Sequence, residues 1–415
     1  MRRTKILVTL GPSAEEETIL RQLIEAGMNV ARLNFSHGDY EEHGVRITRI
    51  KKLRTEMHRP VALLLDTKGP EIRTGDVEDH QISLISGEEI QITTEEIVGT
   101  PKRLTIRFPD LCRMVHPGST ILLDDGLLQL EVLEIIDTQN VRCSIKHGGP
   151  IKDKRGVNIP NLKKELENPT RKDCEDIRFA AAQGFDFIAV SFTESTQTIE
   201  RVREVLWEER AEKIKVIAKI ENYTGLRNFD AILAAADGIM VARGDMGVEL
   251  PAEEVPIVQK EITKKCYRAG KPAITATQML HTMMHAPRPT RAEVSDVANA
   301  IYDFSSAIML SGETSVGKFP LECVQTMTRI AERAETAIDY RKIFFGYSSH
   351  QDAQIDTTCA ITNAAITTAY NLGAKAIITI SETGRTAQML SRLRPGKWIR
   401  HEVLPGCEGA GSESA

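Results

Sequence analysis

Eight short apolar runs rich in β-branched residues, at 5–9, 29–34, 61–66, 186–191, 215–220, 238–242, 272–275 and 307–310, alternate with longer stretches of helical period. The alternation and the count of eight predict an α/β protein built on a parallel (β/α)8 barrel, a TIM barrel, which typically takes about 250 residues. A doubly wound open sheet is the structural alternative, because strand count alone does not require closure. A third observation is a change of texture between Asp66 and the helix opening near Lys172. There the pattern becomes short strands separated by Gly, Pro and Asp turns, which predicts an all-β domain inserted after the third strand.

At roughly 100–200 residues per domain, 415 residues leave room for two to four domains. Lys and Arg number 53 against 58 Asp and Glu, a formal net charge of −5, which argues against a nucleic-acid partner. With 41% hydrophobic and 27% charged residues, the composition is that of a folded globular chain and excludes dominant disorder. The first apolar run, Ile6 to Leu10, is too short for a secretory signal and no small-residue cleavage site follows, so a cytoplasmic location is expected. The longest charge-free stretch, 357–374, is punctuated by Thr357, Thr358, Asn363, Thr367, Thr368 and Asn371 and reads as a soluble helix, so no membrane partner is expected. Seven scattered cysteines without a C-x-x-C pair argue against a disulfide framework or a zinc site, and predict reduced, mostly buried thiols.

Helix starts follow the alternation. Ser13 and Glu16, Thr170 and Asp173, and Thr290 and Glu293 each set a candidate N-cap hydroxyl three residues before a carboxylate. Within the insert, strands are expected at Leu104-Thr-Ile-Arg, Thr120-Ile-Leu-Leu, Leu127-Leu-Gln-Leu-Glu-Val and Val141-Arg-Cys-Ser-Ile. The insert leaves from a loop on the face where barrel active sites are built, which places it to act as a lid. The run 320–338 reads as the closing barrel helix, and a polar linker, 345–352, leads to a further helix and strand at 355–372 and 376–380.

In a strand, residues two apart share a face, so polar groups at i and i+2 near a strand's C-terminal end can converge on one site. The second strand ends Arg32-Leu-Asn34-Phe-Ser36-His37 and the third Asp66-Thr67-Lys68-Gly-Pro-Glu71-Ile-Arg73. The fifth ends Lys219-Ile-Glu221, the sixth Arg243-Gly-Asp245, and the seventh contributes Thr277. One such end has an ordinary explanation in solvation or a surface ion pair. Four in one barrel are different. Glu221 and Asp245 are hard oxygen ligands suited to Mg2+ or Mn2+, with no nearby His or Cys to favour zinc. Arg32, Lys68, Arg73 and Lys219 would gather around them with surplus positive charge for an anionic substrate, an arrangement that suits phosphoryl transfer. Thr277 fits a proton relay or a helix cap equally well.

The residues of these strand ends resemble the pyruvate kinase family. The matching stretches include Thr9-Leu-Gly-Pro12, Met28-Asn-Val-Ala-Arg-Leu-Asn-Phe-Ser-His-Gly38, Asp66-Thr-Lys-Gly-Pro-Glu-Ile-Arg-Thr-Gly75, Asp124-Asp-Gly126, Lys154-Arg-Gly-Val-Asn-Ile-Pro160, Ala218-Lys-Ile-Glu-Asn222, Gly238-Ile-Met-Val-Ala-Arg-Gly-Asp-Met-Gly-Val-Glu249, Thr275-Ala-Thr-Gln-Met-Leu280 and Pro289-Thr-Arg-Ala-Glu-Val-Ser-Asp-Val-Ala-Asn-Ala300. The resemblance implies phosphoryl transfer from phosphoenolpyruvate to ADP with Mg2+ (or Mn2+) and K+. It implies that Glu221 and Asp245 hold the divalent metal, that Lys219 stabilises phosphoryl and enolate charge, and that Arg32 binds phosphate with Arg73 beside it. It assigns Asn34, Ser36, Asp66 and Thr67 to K+, with Glu71 as the residue type that accompanies K+ dependence. Pro12, His37, Arg73 and Lys154 would meet the nucleotide. Gly244, Asp245 and Thr277 would hold the substrate carboxylate, and Asp125 would help the lid close.

Three positions depart from the family pattern: Tyr223-Thr224 after Asn222, Thr193-Glu194 after Phe192, and Asp303-Phe-Ser-Ser-Ala307 where Asp-Gly-x-Asp-Ala is usual. Near the end, Ser381, Thr383, Gly384, Arg385 and Thr386 resemble an effector phosphate loop. The similarity is expected to stop after Pro395. The expected division is therefore barrel at 1–69 and 170–340, lid at 70–169, an incomplete α/β unit at 347–395 and a disordered tail at 396–415. A homotetramer follows from the family, and the short last unit counts against it. Two other readings compete: a metal-dependent lyase acting on pyruvate enolate, and a truncated homologue with impaired catalysis.

Overall fold

The computed structural model describes residues 2–160, 167–348, 357–381, 384–396 and 398–402. Eight parallel strands, β1 (Lys5–Thr9), β2 (Val30–Asn34), β3 (Ala62–Asp66), β4 (Phe187–Val190), β5 (Lys215–Ile220), β6 (Gly238–Ala242), β7 (Ala273–Ala276) and β8 (Ala307–Leu310), pair in chain order, and β8 returns to β1. The barrel is closed, which excludes the open sheet. Leu7, Leu64, Ala189, Ile217, Met240, Ile274 and Met309 fill its interior. Residues of opposite parity, such as Ile6, Val8, Leu63, Leu65, Ile188, Val216 and Ala218, pack outward against the helices.

Thr170 and Thr290 form the expected reciprocal caps with Asp173 and Glu293. Ser13 does not. It lies inside a short 3-10 helix, Pro12–Ala14, and Glu16 itself precedes helix Glu17–Ala26 without a side-chain cap bond. Pro12 at the first position of that turn starts a helix two residues earlier than the capping pattern allows.

The segment between β3 and helix Arg171–Ala182 forms a seven-stranded sheet and a two-stranded one. It has its own core, with Ile90, Ile92, Leu104, Leu123, Leu130 and Val141. Short strands such as Gln81–Leu84 and Gly156–Asn158 escape a sequence reading because three or four residues give too little alternation to register. Cys112, Cys143, Cys266 and Cys323 are buried, and burial pushes the thiols of Cys143, Cys266 and Cys323 up to about 12.

Two expectations for the C-terminal part are corrected. The start of the expected linker is helical, Tyr340–Ser348, because Phe344 is buried there against Ile366 and Leu390. Inside the expected tail, Trp398–Glu402 forms a strand parallel to Ala376–Ile380, and Ile399 packs against the same small core. Thr383 and residues 403–415 lie outside the described residues. The unit is tied to the barrel by Arg394, which donates to the Phe304 carbonyl at 2.7 Å and the Ser306 hydroxyl at 3.0 Å. Phe304, at the departure from Asp-Gly-x-Asp, takes a φ of 71°, and its ring packs on Tyr267 with centroids 4.9 Å apart. Among the described residues no helix is long and apolar enough to cross a membrane.

Candidate active site

The period of two that fills the barrel also builds the site. One step above Leu7, Leu64, Ala189 and Ile217 on the same strand face come Thr9, Asp66, Ser191 and Lys219. The apolar interior therefore ends in a polar layer at the C-terminal mouth. Asp66 is buried at its centre. Its carboxylate accepts from Arg32 Nε at 2.6 Å and lies 3.0 Å from Lys219 Nζ. Arg32 also donates to the Thr9 hydroxyl at 2.9 Å. Lys219 Nζ reaches Glu221 at 3.0 Å and the Ser191 hydroxyl at 2.6 Å. The Phe192 amide donates to the other Glu221 oxygen.

Charge organises this layer. Burial opposes the Lys219 ammonium, but Asp66, then Glu221 and Asp245, outweigh it and raise its pKa. Burial likewise opposes ionised Asp66, yet Arg32 and Lys219 hold its carboxyl below the usual carboxylate range. Burial pushes the Glu221 carboxyl up to about 7, with Asp245 adding to the push and Lys219 only partly countering it. Two neighbouring carboxylates, one of them expensive to ionise, form an oxygen donor pair that a divalent cation would relieve. The residues thus fit Mg2+ or Mn2+. No group of three or more His, Cys, Asp or Glu among the described residues could hold a metal, so substrate and water would complete the shell.

The remaining expected residues divide into those brought to this layer and those held elsewhere. Asn34 stands opposite Asp66 in the β2–β3 register, and its side-chain oxygen accepts from the Ser36 amide at 3.1 Å. Thr67 Oγ1 accepts from the Ser191 amide at 3.0 Å. Thr277, at a φ of 68°, accepts from the Gly244 amide at 2.8 Å and donates to the Ala276 carbonyl at 2.7 Å. Asp125 occupies a turn of the insert in which Asp124, Asp125 and Gly126 all have positive φ. Burial, then Asp245 and Asp124, push its carboxyl up, so this turn of the insert is within the field of Asp245.

Lys68 and Arg73 do not join the cluster around Asp66. Both turn to Glu71, Arg73 at 2.7 Å and Lys68 at 4.0 Å, because Glu71 offers a nearer carboxylate on the same loop. Arg73 also donates to the Lys154 carbonyl at 3.0 Å, while Lys154 Nζ lies 3.4 Å from Asp76. These two residues therefore mark the root of the insert. Pro12 opens the turn after β1, and the His37 carbonyl lies 2.9 Å from His43 Nε2.

Arg243 and Asp245 were expected to share a strand face. Helix Arg243–Glu249 begins directly after β6, so they diverge: Arg243 pairs with Asp296 at 2.8 Å, whereas Asp245 acts on Glu221 and Lys219. Ser381, Gly384, Arg385 and Thr386 belong to the C-terminal unit. Gly384 takes a φ of 72°, and its amide donates to Ser381 Oγ at 3.1 Å. Ser191 and Thr9 were missed by the sequence reading, although each lies two residues beyond an interior apolar position, the spacing that marks Asp66 and Lys219.

Fold and site together define a barrel enzyme whose mouth sets a buried lysine, an arginine and a pair of metal-suited carboxylates side by side, an arrangement suited to an anionic substrate. The family models described as "Pyruvate kinase, barrel domain" and "Pyruvate kinase, alpha/beta domain" match residues 1–324 and 359–401. The second match runs past Pro395, where the similarity was expected to stop. The pyruvate kinases of Bacillus licheniformis and Geobacillus stearothermophilus are 51% and 50% identical over 396 residues, 95% of this chain and 67% of each relative. A solved pyruvate kinase from Cryptosporidium parvum superposes with a TM-score of 0.92 at 41% identity, covering 97% of this chain and 83% of that one. The chain belongs to the pyruvate kinase family.

Proposed function

We infer that the chain carries out the reaction of its family in the barrel mouth, transferring the phosphoryl group of phosphoenolpyruvate to ADP to give pyruvate and ATP. The observation that carries this reading is the Lys219 ammonium, buried and held by Asp66, Glu221 and Ser191, with Arg32 on the same carboxylate. A terminal β-phosphate oxygen of ADP bonds to phosphorus as the bond from phosphorus to the enol oxygen breaks. The electron pair stays on that oxygen, and the enolate takes a proton at its methylene carbon.

Lys219, charged throughout the physiological range, would face both the transferring group and the oxygen that keeps the electrons. Arg32 uses Nε on Asp66 and one Nη on Thr9, and its second Nη makes no hydrogen bond to the described residues, so it is available to phosphate. Gly244, Asp245 and Thr277 would take the substrate carboxylate. Thr277 must leave the Ala276 carbonyl before its hydroxyl can pass a proton. Pro12, His37, Arg73 and Lys154 would meet ADP, with Asp125 on the lid that closes over it.

Glu221 and Asp245 would hold Mg2+ or Mn2+, which neutralises charge on the transferring group when bound. Asn34, Ser36, Asp66 and Thr67 offer the all-oxygen set that suits K+. A coupled assay with phosphoenolpyruvate, Mg2+ and K+ tests the reading: pyruvate should form only when ADP is added. Pyruvate formation independent of ADP would favour the lyase alternative.

A further inference from the structure

We propose that Ser191 is a positioning residue for Lys219, and that the Ser191-Phe192 turn aligns the ammonium and the Glu221 carboxylate as one unit. The inference rests on the reading of Lys219 given above. An ammonium has three N–H groups, and those of Lys219 point to Asp66, Glu221 and Ser191 at 3.0, 3.0 and 2.6 Å. Two of these partners have other duties, since Asp66 is shared with Arg32 and Glu221 suits a divalent cation. Ser191 is the neutral anchor whose strength does not change with the metal.

Its own proton is committed to the Thr67 carbonyl at 2.6 Å, which leaves a lone pair facing Lys219. The backbone completes the device. Phe192 sits at a φ of 49°, and from there its amide reaches Glu221. Two constraints hold that turn. The Asn168 side-chain amide, at the return from the insert, donates to the carbonyls of Ser191 at 2.9 Å and Phe192 at 2.7 Å. On the other side Gly69 makes room: a Cβ there would come 2.9 Å from Ser191 Cβ and 2.8 Å from the Phe192 ring. The turn is thus clamped between the two points where the lid joins the barrel.

The test is steady-state kinetics of the full chain with phosphoenolpyruvate, ADP, K+ and Mn2+, beside Mn2+ binding by electron paramagnetic resonance. Ser191→Ala should lower kcat about 30-fold while the KM for phosphoenolpyruvate and the Mn2+ affinity change less than about threefold, and Ser191→Thr should restore kcat to within about fivefold. Asn168→Ala, which keeps the hydroxyl and loosens the turn that holds both groups, should lower kcat and Mn2+ affinity together, each about three- to tenfold, with the thermal midpoint little changed, and it serves in place of Ser191→Ala if that variant does not fold. Unchanged kcat in both variants, or a Ser191→Ala loss of kcat matched by equal losses of Mn2+ affinity and thermal midpoint, would overturn the proposal. Inactive wild type, or full activity in Lys219→Met, would instead overturn the reading of Lys219 on which it rests.

Discussion

The barrel and the C-terminal unit share one local pattern, a helix followed by a parallel strand, and differ in what their sheets leave open. Every barrel strand has two neighbours, and all of β6 is buried. Ala376–Ile380 has one partner among the described residues, and Ile378 and Ile380 remain 66% and 59% exposed. Parallel strands are stable when both faces are covered. Closure fixes the strand ends relative to one another, and among the described residues it is in the barrel that those ends carry convergent charge. The proposed chemistry lies in the closed element, and the C-terminal unit is bound to it in part through Arg394 at the opposite end of β8.

Substitutions in the barrel mouth should therefore far outweigh those at the junction. Lys219→Met should abolish phosphoryl transfer, a loss of roughly a thousandfold or more, while leaving Mn2+ binding largely intact. Next in size, Glu221→Gln or Asp245→Asn should weaken Mn2+ binding by about a hundredfold, read by titration, because each removes one of two protein oxygens from the metal. At the junction, Arg394→Ala should cost about 2 kcal/mol and speed proteolysis beyond residue 340, with kcat changed less than about threefold. A comparable fall in kcat would show that the two regions are coupled more tightly than their contacts indicate.

A pH-dependent effect on stability alone concerns Glu249. Burial, helped by Glu194 and Asp245, pushes its carboxyl up to about 7 from 4.5. The folded state therefore binds this proton more tightly than the unfolded chain, and stability is lost as pH rises from about 4.5 toward about 7 and is level above. Glu249→Gln removes that loss, so its thermal midpoint relative to wild type should climb between about pH 5 and pH 8. A gap independent of pH would contradict the assignment.

Much of the barrel was legible because a period of two and a β-branched composition fix a strand's faces wherever it packs. β1, β5, β6 and β8 match their expected bounds. Arg32, Asp66, Lys219 and Glu221 were legible for the same reason. Arg243 and Asp245 misled because a helix starts at Arg243, and nothing in Arg243-Gly-Asp245 marks the switch from one period to the other. Lys68 and Arg73 misled because pairing with Glu71 is a choice between carboxylates that only three-dimensional distance can make. Ser191 carries no charge, and its role appears only when β4 is set beside β3 and β5.

The most direct measurement follows phosphorus itself. In 31P NMR of the full chain with phosphoenolpyruvate, ADP, Mg2+ and K+, the phosphoenolpyruvate signal should fall as the γ-phosphoryl signal of ATP rises in equal amount. Inorganic phosphate in place of ATP, or an unchanged spectrum, would contradict phosphoryl transfer at the barrel mouth.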